Sequence, residues 1–91
     1  MKTIWKFPFE IASFIEVEMP NNPEMLHVEL QGWQPCLWAI VDPDNEKRVF
    51  SFLLIGTGHP LPDNAAKHVG TFQQKQFVWH MFTVHSGVRP V

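Results

Sequence analysis

Alternation with a period of two runs through most of the chain. Ile15, Val17 and Met19 are set against Glu16 and Glu18, and Leu26, Val28 and Leu30 against His27, Glu29 and Gln31. This is the pattern of strands with one buried and one wet face. Residues 2–9 place Trp5, Phe7 and Phe9 on one face, and Pro8, which has no N–H to give to a ladder, assigns that segment to a sheet edge. Residues 36–41 are apolar on both faces, as expected of an innermost strand, and residues 48–55 are apolar except for Ser51. No stretch keeps a helical period while avoiding Pro and Gly. The pattern predicts an all-β fold, a small antiparallel β-sandwich or barrel of about six or seven strands.

Turn chemistry divides these segments. Pro20-Asn21-Asn22-Pro23 separates residues 14–19 from the strand beginning near Leu26 and predicts a hairpin between them. Asp42-Pro43-Asp44-Asn45 reads as a type I turn closing a central hairpin. A helical turn is expected at Ala65-Ala66-Lys67, followed by a last hairpin of residues 68–73 and 76–85 around Gln74-Lys75 and a loose tail over residues 86–91.

At 91 residues the chain has room for a single domain, 1–91. A domain of this size buries roughly two-thirds of its unfolded surface, so its stability is modest. Four Trp and eight Phe are more large apolar surface than so small a core readily hides, which predicts a homo-oligomer that also covers an edge strand. A net charge of −2 with no basic cluster excludes duplex nucleic acid as a partner. Cys36, the sole cysteine, has no disulfide partner and sits in an apolar run that suits a core position. Lys6, Pro8 and Glu10 interrupt the apolar N-terminal residues, and no run approaches the roughly 18 apolar residues of a membrane span. A cytoplasmic, reduced protein without membrane association is expected.

The chemistry concentrates where residues 48–55 run into Gly56-Thr57-Gly58-His59-Pro60. Glycines one residue apart let the backbone turn N–H groups toward a common point, Thr57 adds a hydroxyl and His59 a ring donor. Trp38 and Trp79 offer stacking faces for a base, and His80 a hydrogen-bonding ring. Together these residues form a recipe for an anionic, nucleotide-like ligand. The alternative for the pentapeptide is a strand-ending turn with an incidental histidine, and for His80 an imidazole satisfied by one backbone carbonyl. Five histidines invite a metal reading, but none has ligand spacing, so no metal and no cofactor is expected. No nucleophile has an adjacent base and orienting partner in sequence, so no catalytic residue is assigned and the protein is read as a non-enzyme.

Ile4-Trp5-Lys6-Phe7-Pro8, Gln34-Pro35-Cys36-Leu37-Trp38-Ala39, Val41-Asp42-Pro43, Gly56-Thr57-Gly58-His59-Pro60, Gly70-Thr71-Phe72-Gln73 and Phe77-Val78-Trp79-His80 together resemble a family of small uncharacterised proteins of phages and prophages. The resemblance covers nearly the whole chain. It implies a context in which small accessory proteins act on the host, commonly by blocking defence systems through binding. Two functions follow as expectations. One is a counter-defence sponge that sequesters a small anionic, nucleotide-like ligand. The other is an interaction protein that caps a host protein through an aromatic surface or edge strand, with side chains such as Trp5, Phe14 and Trp33.

Overall fold

The computed structural model describes residues 1–91 as seven strands and no helix: β1 (Thr3–Pro8), β2 (Phe14–Pro20), β3 (Glu24–Gln31), β4 (Gln34–Val41), β5 (Lys47–Gly56), β6 (Ala65–Gln74) and β7 (Phe77–Pro90). They form two antiparallel sheets, a three-stranded one ordered β1-β4-β3 and a four-stranded one ordered β2-β5-β7-β6. The expected all-β sandwich is therefore the fold. Since the chain has no helix at all, none is long and apolar enough to cross a membrane.

The alternating segments put their apolar residues between the sheets. Ile15, Val17 and Met19 of β2 meet Phe50, Phe52 and Leu54 of β5, Phe72 of β6 and Met81 of β7 on one side, with Val28 and Leu37 on the other. Glu16 and Glu18 stay outside. The doubly apolar segment is β4, the middle strand of its sheet, and Cys36 is buried in it. β1 is an edge strand, as Pro8 requires.

Several expected connections are different. β2 and β3 do not pair, because β2 lies on β5 and β3 on β4. Likewise β4 and β5 belong to opposite sheets, so the Asp42–Asn45 turn closes no hairpin. Both turns are corners that carry the chain from one sheet to the other. They brace each other: Asn21 N–H donates to Glu46 O at 2.8 Å, and Asn45 Nδ2 donates to Asn21 O at 2.9 Å. Ala65-Ala66-Lys67 is the start of β6 and not a helical turn, since pairing with β7 outweighs the helix preference of Ala and Lys. The tail is not loose either, for Val88, Arg89 and Pro90 pair with Phe50, Val49 and Arg48. The last hairpin exists, but its turn is Lys75-Gln76, with Gln74 opposite Phe77.

One side of the sandwich is tightly closed. A Cβ on Gly70 of β6 would lie 2.8 Å from Val28 Cγ1 of β3, so glycine lets the two strands approach. Met25 and Val69 line one cleft while Val28 meets Gly70, so β3 and β6 run in the same direction. That sends the Gly32-Trp33 and Lys75-Gln76 turns to the same end of the molecule. Gly56 pairs with Trp79, near the start of β7, so the Gly56–His59 turn is at that end too.

Candidate functional site

β5 leaves the sheet in a tight turn. His59 N–H donates to Gly56 O at 3.1 Å, and Gly58 has φ +90° with open space where a Cβ would stand. This is a type II turn, in which the third residue needs a positive φ and is therefore glycine. Thr57 N–H donates to Val78 O at 3.2 Å, extending the ladder one residue past Gly56. The expected cradle of several free amides is thus not built, because the turn and the ladder consume the Thr57 and His59 N–H groups. Gly58 N–H alone has no backbone partner in the turn.

The His59 ring folds back over Gly56. A Cβ on Gly56 would stand 3.1 Å from His59 Nδ1 and 3.7 Å from the Trp79 ring, so glycine makes room for both. Gly56, Thr57, His59, Gln76, Phe77, Val78 and Trp79 line a shallow depression of about 340 Å³. Phe77 stacks on Trp79 with ring centroids 5.9 Å apart and planes 29° from parallel, and Phe77 is 52% exposed. One wall of the depression is therefore aromatic and reachable. Trp79 itself packs against the core, and its Nε1 is buried without a hydrogen-bond partner.

Beside the depression, on the outer face of the larger sheet, four polar side chains form a chain of hydrogen bonds. Thr57 Oγ1 lies 2.8 Å from His80 Nε2, Thr71 Oγ1 lies 3.0 Å from His80 Nδ1, and His68 Nε2 lies 3.0 Å from Thr71 Oγ1. The His80 ring is thus held at both nitrogens by hydroxyls, and not by the single backbone carbonyl that was the simpler expectation. A neutral imidazole has one N–H and one lone pair, and a hydroxyl donates one hydrogen. With the proton on Nε2, His80 donates to Thr57 and accepts from Thr71, which accepts from His68. With the proton on Nδ1, His80 accepts from Thr57 and donates to Thr71, and Thr71, with one hydrogen and a second lone pair, can either donate to His68 Nε2 or accept from it. The two bonds of His80 therefore share one direction, and a change at Thr57 is felt at Thr71.

Of the residues the sequence singled out, Gly56, Thr57, His59 and Trp79 converge on the depression, and His80 joins it through Thr57. Gly58 shapes the turn and lines nothing. Trp38 lies elsewhere: it is on β4 of the other sheet, between Lys6 and His27 in the cross-strand row, with its ring 6.0 Å from the His27 ring. Its side chain points out of the three-stranded sheet, because its neighbours Leu37 and Ala39 take the inward positions. Sequence reasoning missed Thr71, His68, Gln76 and Phe77. The signal for Thr71 was the hairpin register: a turn at Gln74-Lys75 sets His80 opposite Val69, whereas the actual turn sets it opposite Thr71. No group of three or more His, Cys, Asp or Glu side chains comes together in a way that could hold a metal ion.

Fold and depression together define a small two-sheet β-sandwich protein with a polar and aromatic surface site on its larger sheet. The chain belongs to the family described as Domain of unknown function (DUF7352), which matches residues 1–89. No curated protein and no solved structure matches it.

Proposed function

We propose that the protein is a non-catalytic binder that holds a small anionic, nucleotide-like ligand in the depression at the Gly56–His59 turn. In this reading it is a phage accessory protein that works in the host cytoplasm as a homo-oligomer and withholds a signalling molecule from a defence system. The observation that carries the reading is the convergence of Gly56, Thr57 and His59 from one segment with Gln76, Phe77 and Trp79 from another on a single depression. The stacked Phe77–Trp79 pair gives a base a flat, exposed face. The His59 ring, the Thr57 hydroxyl and the Gln76 amide are the side-chain donors in the lining. No Lys or Arg is in the lining, which suits reversible capture better than very tight charge pairing.

The test is a thermal-shift panel of nucleotides, cyclic nucleotides and ADP-ribose derivatives on the wild type, Thr57→Val and Phe77→Ala. A concentration-dependent rise in Tm for one compound, lost in both variants, supports the reading. No rise for any compound, or a rise that both variants keep, overturns it.

A second reading is favoured by a different observation. Trp33 at the β3–β4 turn is 82% exposed, Phe14 on the edge strand β2 is 51% exposed, and Trp5 on the edge strand β1 is 37% exposed. Such side chains suit a protein that caps a host partner through an aromatic surface or by strand addition. Under this reading Trp33→Ser removes capture of a host protein while Phe77→Ala does not.

A further inference from the structure

One side of the sandwich is closed and the other is open. On the closed side β3 meets β6 at Val28 and Gly70, and slips in the ladders of β3, β5 and β6 leave a cleft of about 440 Å³ with Phe52 at its floor. β1 and β2 are the outermost strands of their sheets on the opposite side. Each pairs with one neighbour, β1 with β4 and β2 with β5, in a register without interruption. The other edge of each strand presents backbone groups that have no backbone partner. A smooth, unpaired edge is a template for a further strand.

The side chains on these two edges carry opposite signs. Trp5 and Phe7 oppose the buried Ala39 and Leu37, so alternation puts Lys2, Ile4 and Lys6 on the outer face of β1. On β2 the outer positions are Phe14, Glu16 and Glu18, because Ile15, Val17 and Met19 point into the core. Arg89 holds Glu16 at 2.8 Å and Gln31 accepts from Lys6, but Lys2 and Glu18 have no partner within the chain. Pairing either edge with its own copy sets like charges against one another, Glu16 and Glu18 in one case and Lys2 and Lys6 in the other, which is unfavourable. Pairing β1 with β2 of a second copy sets Lys against Glu.

Strand direction fits the second arrangement. β1 runs with β3, β3 with β6 and β6 with β5, while β2 runs against β5, so β1 and β2 run in opposite directions. A two-fold axis parallel to the strands keeps every direction, and therefore lays β1 antiparallel to β2 of the partner, twice. The levels agree as well. Phe7 pairs with Leu37, Leu37 with Val28, Val28 packs on Gly70, Gly70 pairs with Met81, Met81 with Leu54, and Leu54 N–H donates to Ser13 O. Phe7 and Ser13 are thus at one height, which sets Trp5 against Ile15, Thr3 against Val17 and Lys2 against Glu18 of the partner subunit. Inward residues meet inward residues, and outward residues meet outward ones. Pro8 and Pro20, which cannot donate to a ladder, fall beyond the ends of this stretch.

We propose that the chain forms a two-fold dimer in which β1 of each copy adds to β2 of the other. Each three-stranded sheet then continues into the partner's four-stranded sheet, and Ile4, Trp5 and Phe14, all exposed in the single chain, are covered at the two junctions. The dimer supplies the interface of the homo-oligomer in the proposed function but does not rest on a ligand, since none of these residues lines the Gly56–His59 depression.

The experiment is sedimentation equilibrium of the full chain with a charge swap. Lys2 and Glu18 are exposed, so Lys2→Glu and Glu18→Lys should fold as the wild type does. The wild type should be a dimer. Each single variant should dissociate about tenfold more readily, because the altered pair occurs twice, and the double variant should regain most of the wild-type affinity. A monomeric wild type overturns the proposal. So do single variants that dimerise like the wild type, or a double variant no tighter than either single one. The nucleotide panel reads the depression separately, so a monomer that still binds a nucleotide overturns the interface alone.

Discussion

The two cavities of this protein are built in opposite ways. The depression at the Gly56–His59 turn sits on a regular stretch of ladder, where Gly56 faces Trp79 and Gln74 faces Phe77 in unbroken register, and its character comes from side chains standing on that surface. The cleft beside Phe52 exists because the register fails around it. One site is furniture on a finished sheet, while the other is a gap left in the core. The lesson is thermodynamic. The exposed residues of the depression, Phe77 and Gln76, can change with little effect on stability, whereas residues of the cleft floor hold the two sheets together.

That contrast can be broken at several points. The largest effect belongs to Phe52, fully buried at the cleft floor: Phe52→Ala should lower the unfolding free energy by about 3–5 kcal/mol. Urea denaturation measures this, and for a domain whose whole stability is on the order of 5–15 kcal/mol the variant will be close to unfolding at room temperature. A loss comparable to that of Phe77→Ala, whose side chain is half exposed, would erase the distinction.

The next effect is at the turn. Gly58→Ala forces a Cβ into a φ of +90°, at a cost of about 1–2 kcal/mol, without touching any neighbour. Because the cost is backbone strain alone, Gly58→Asn should recover part of it in the same denaturation series.

Smaller still is Thr57→Val. It removes the hydroxyl that holds His80 Nε2, and for an exposed hydrogen bond the loss should be no more than about 1 kcal/mol. The sharper readout is the ring-nitrogen NMR spectrum. The account expects both His80 ring-nitrogen signals to change, Nδ1 through its bond to Thr71, and a change at Nε2 alone would mean that the two hydroxyls hold the ring independently.

Trp79→Phe should be the mildest. The Trp79 Nε1 has no partner, so deleting it breaks no hydrogen bond and relieves a buried donor, offsetting the lost ring packing to within about 1 kcal/mol. A much larger loss in thermal denaturation would show that Nε1 has a partner after all.

The strands were legible because one-sided burial writes itself as alternation: Ile15, Val17 and Met19 point inward and Glu16 and Glu18 outward, as their order in the chain requires. Which sheet each strand joins was not legible. Pro20-Asn21-Asn22-Pro23 and Asp42-Pro43-Asp44-Asn45 have the chemistry of a reversing chain, and that chemistry is the same for a hairpin and for a corner between stacked sheets. Ser86-Gly87 has the composition of a strand's end, yet β7 passes through it as a bulge and resumes pairing at Val88. The candidate site was half legible. Gly56, Thr57, His59 and Trp79 were found because local composition marks the turn and the aromatic strand that meets it. Thr71 was not, since moving a hairpin turn by one residue moves every cross-strand partner by two while leaving the faces unchanged. Trp38 was misplaced because a strand apolar on both faces gives no sign of which tryptophan looks toward which neighbour. The cleft left no trace in the pattern, because bulges arise from pairing between distant segments.

The central claim is that the depression holds a small ligand, and the most direct test is native mass spectrometry of the protein purified gently from cells with an active nucleotide-signalling defence. The account predicts a retained small molecule of nucleotide-like mass that is absent from Phe77→Ala purified alongside. Wild-type protein that emerges at the mass of the bare chain, or a retained molecule carried equally by Phe77→Ala, would contradict it.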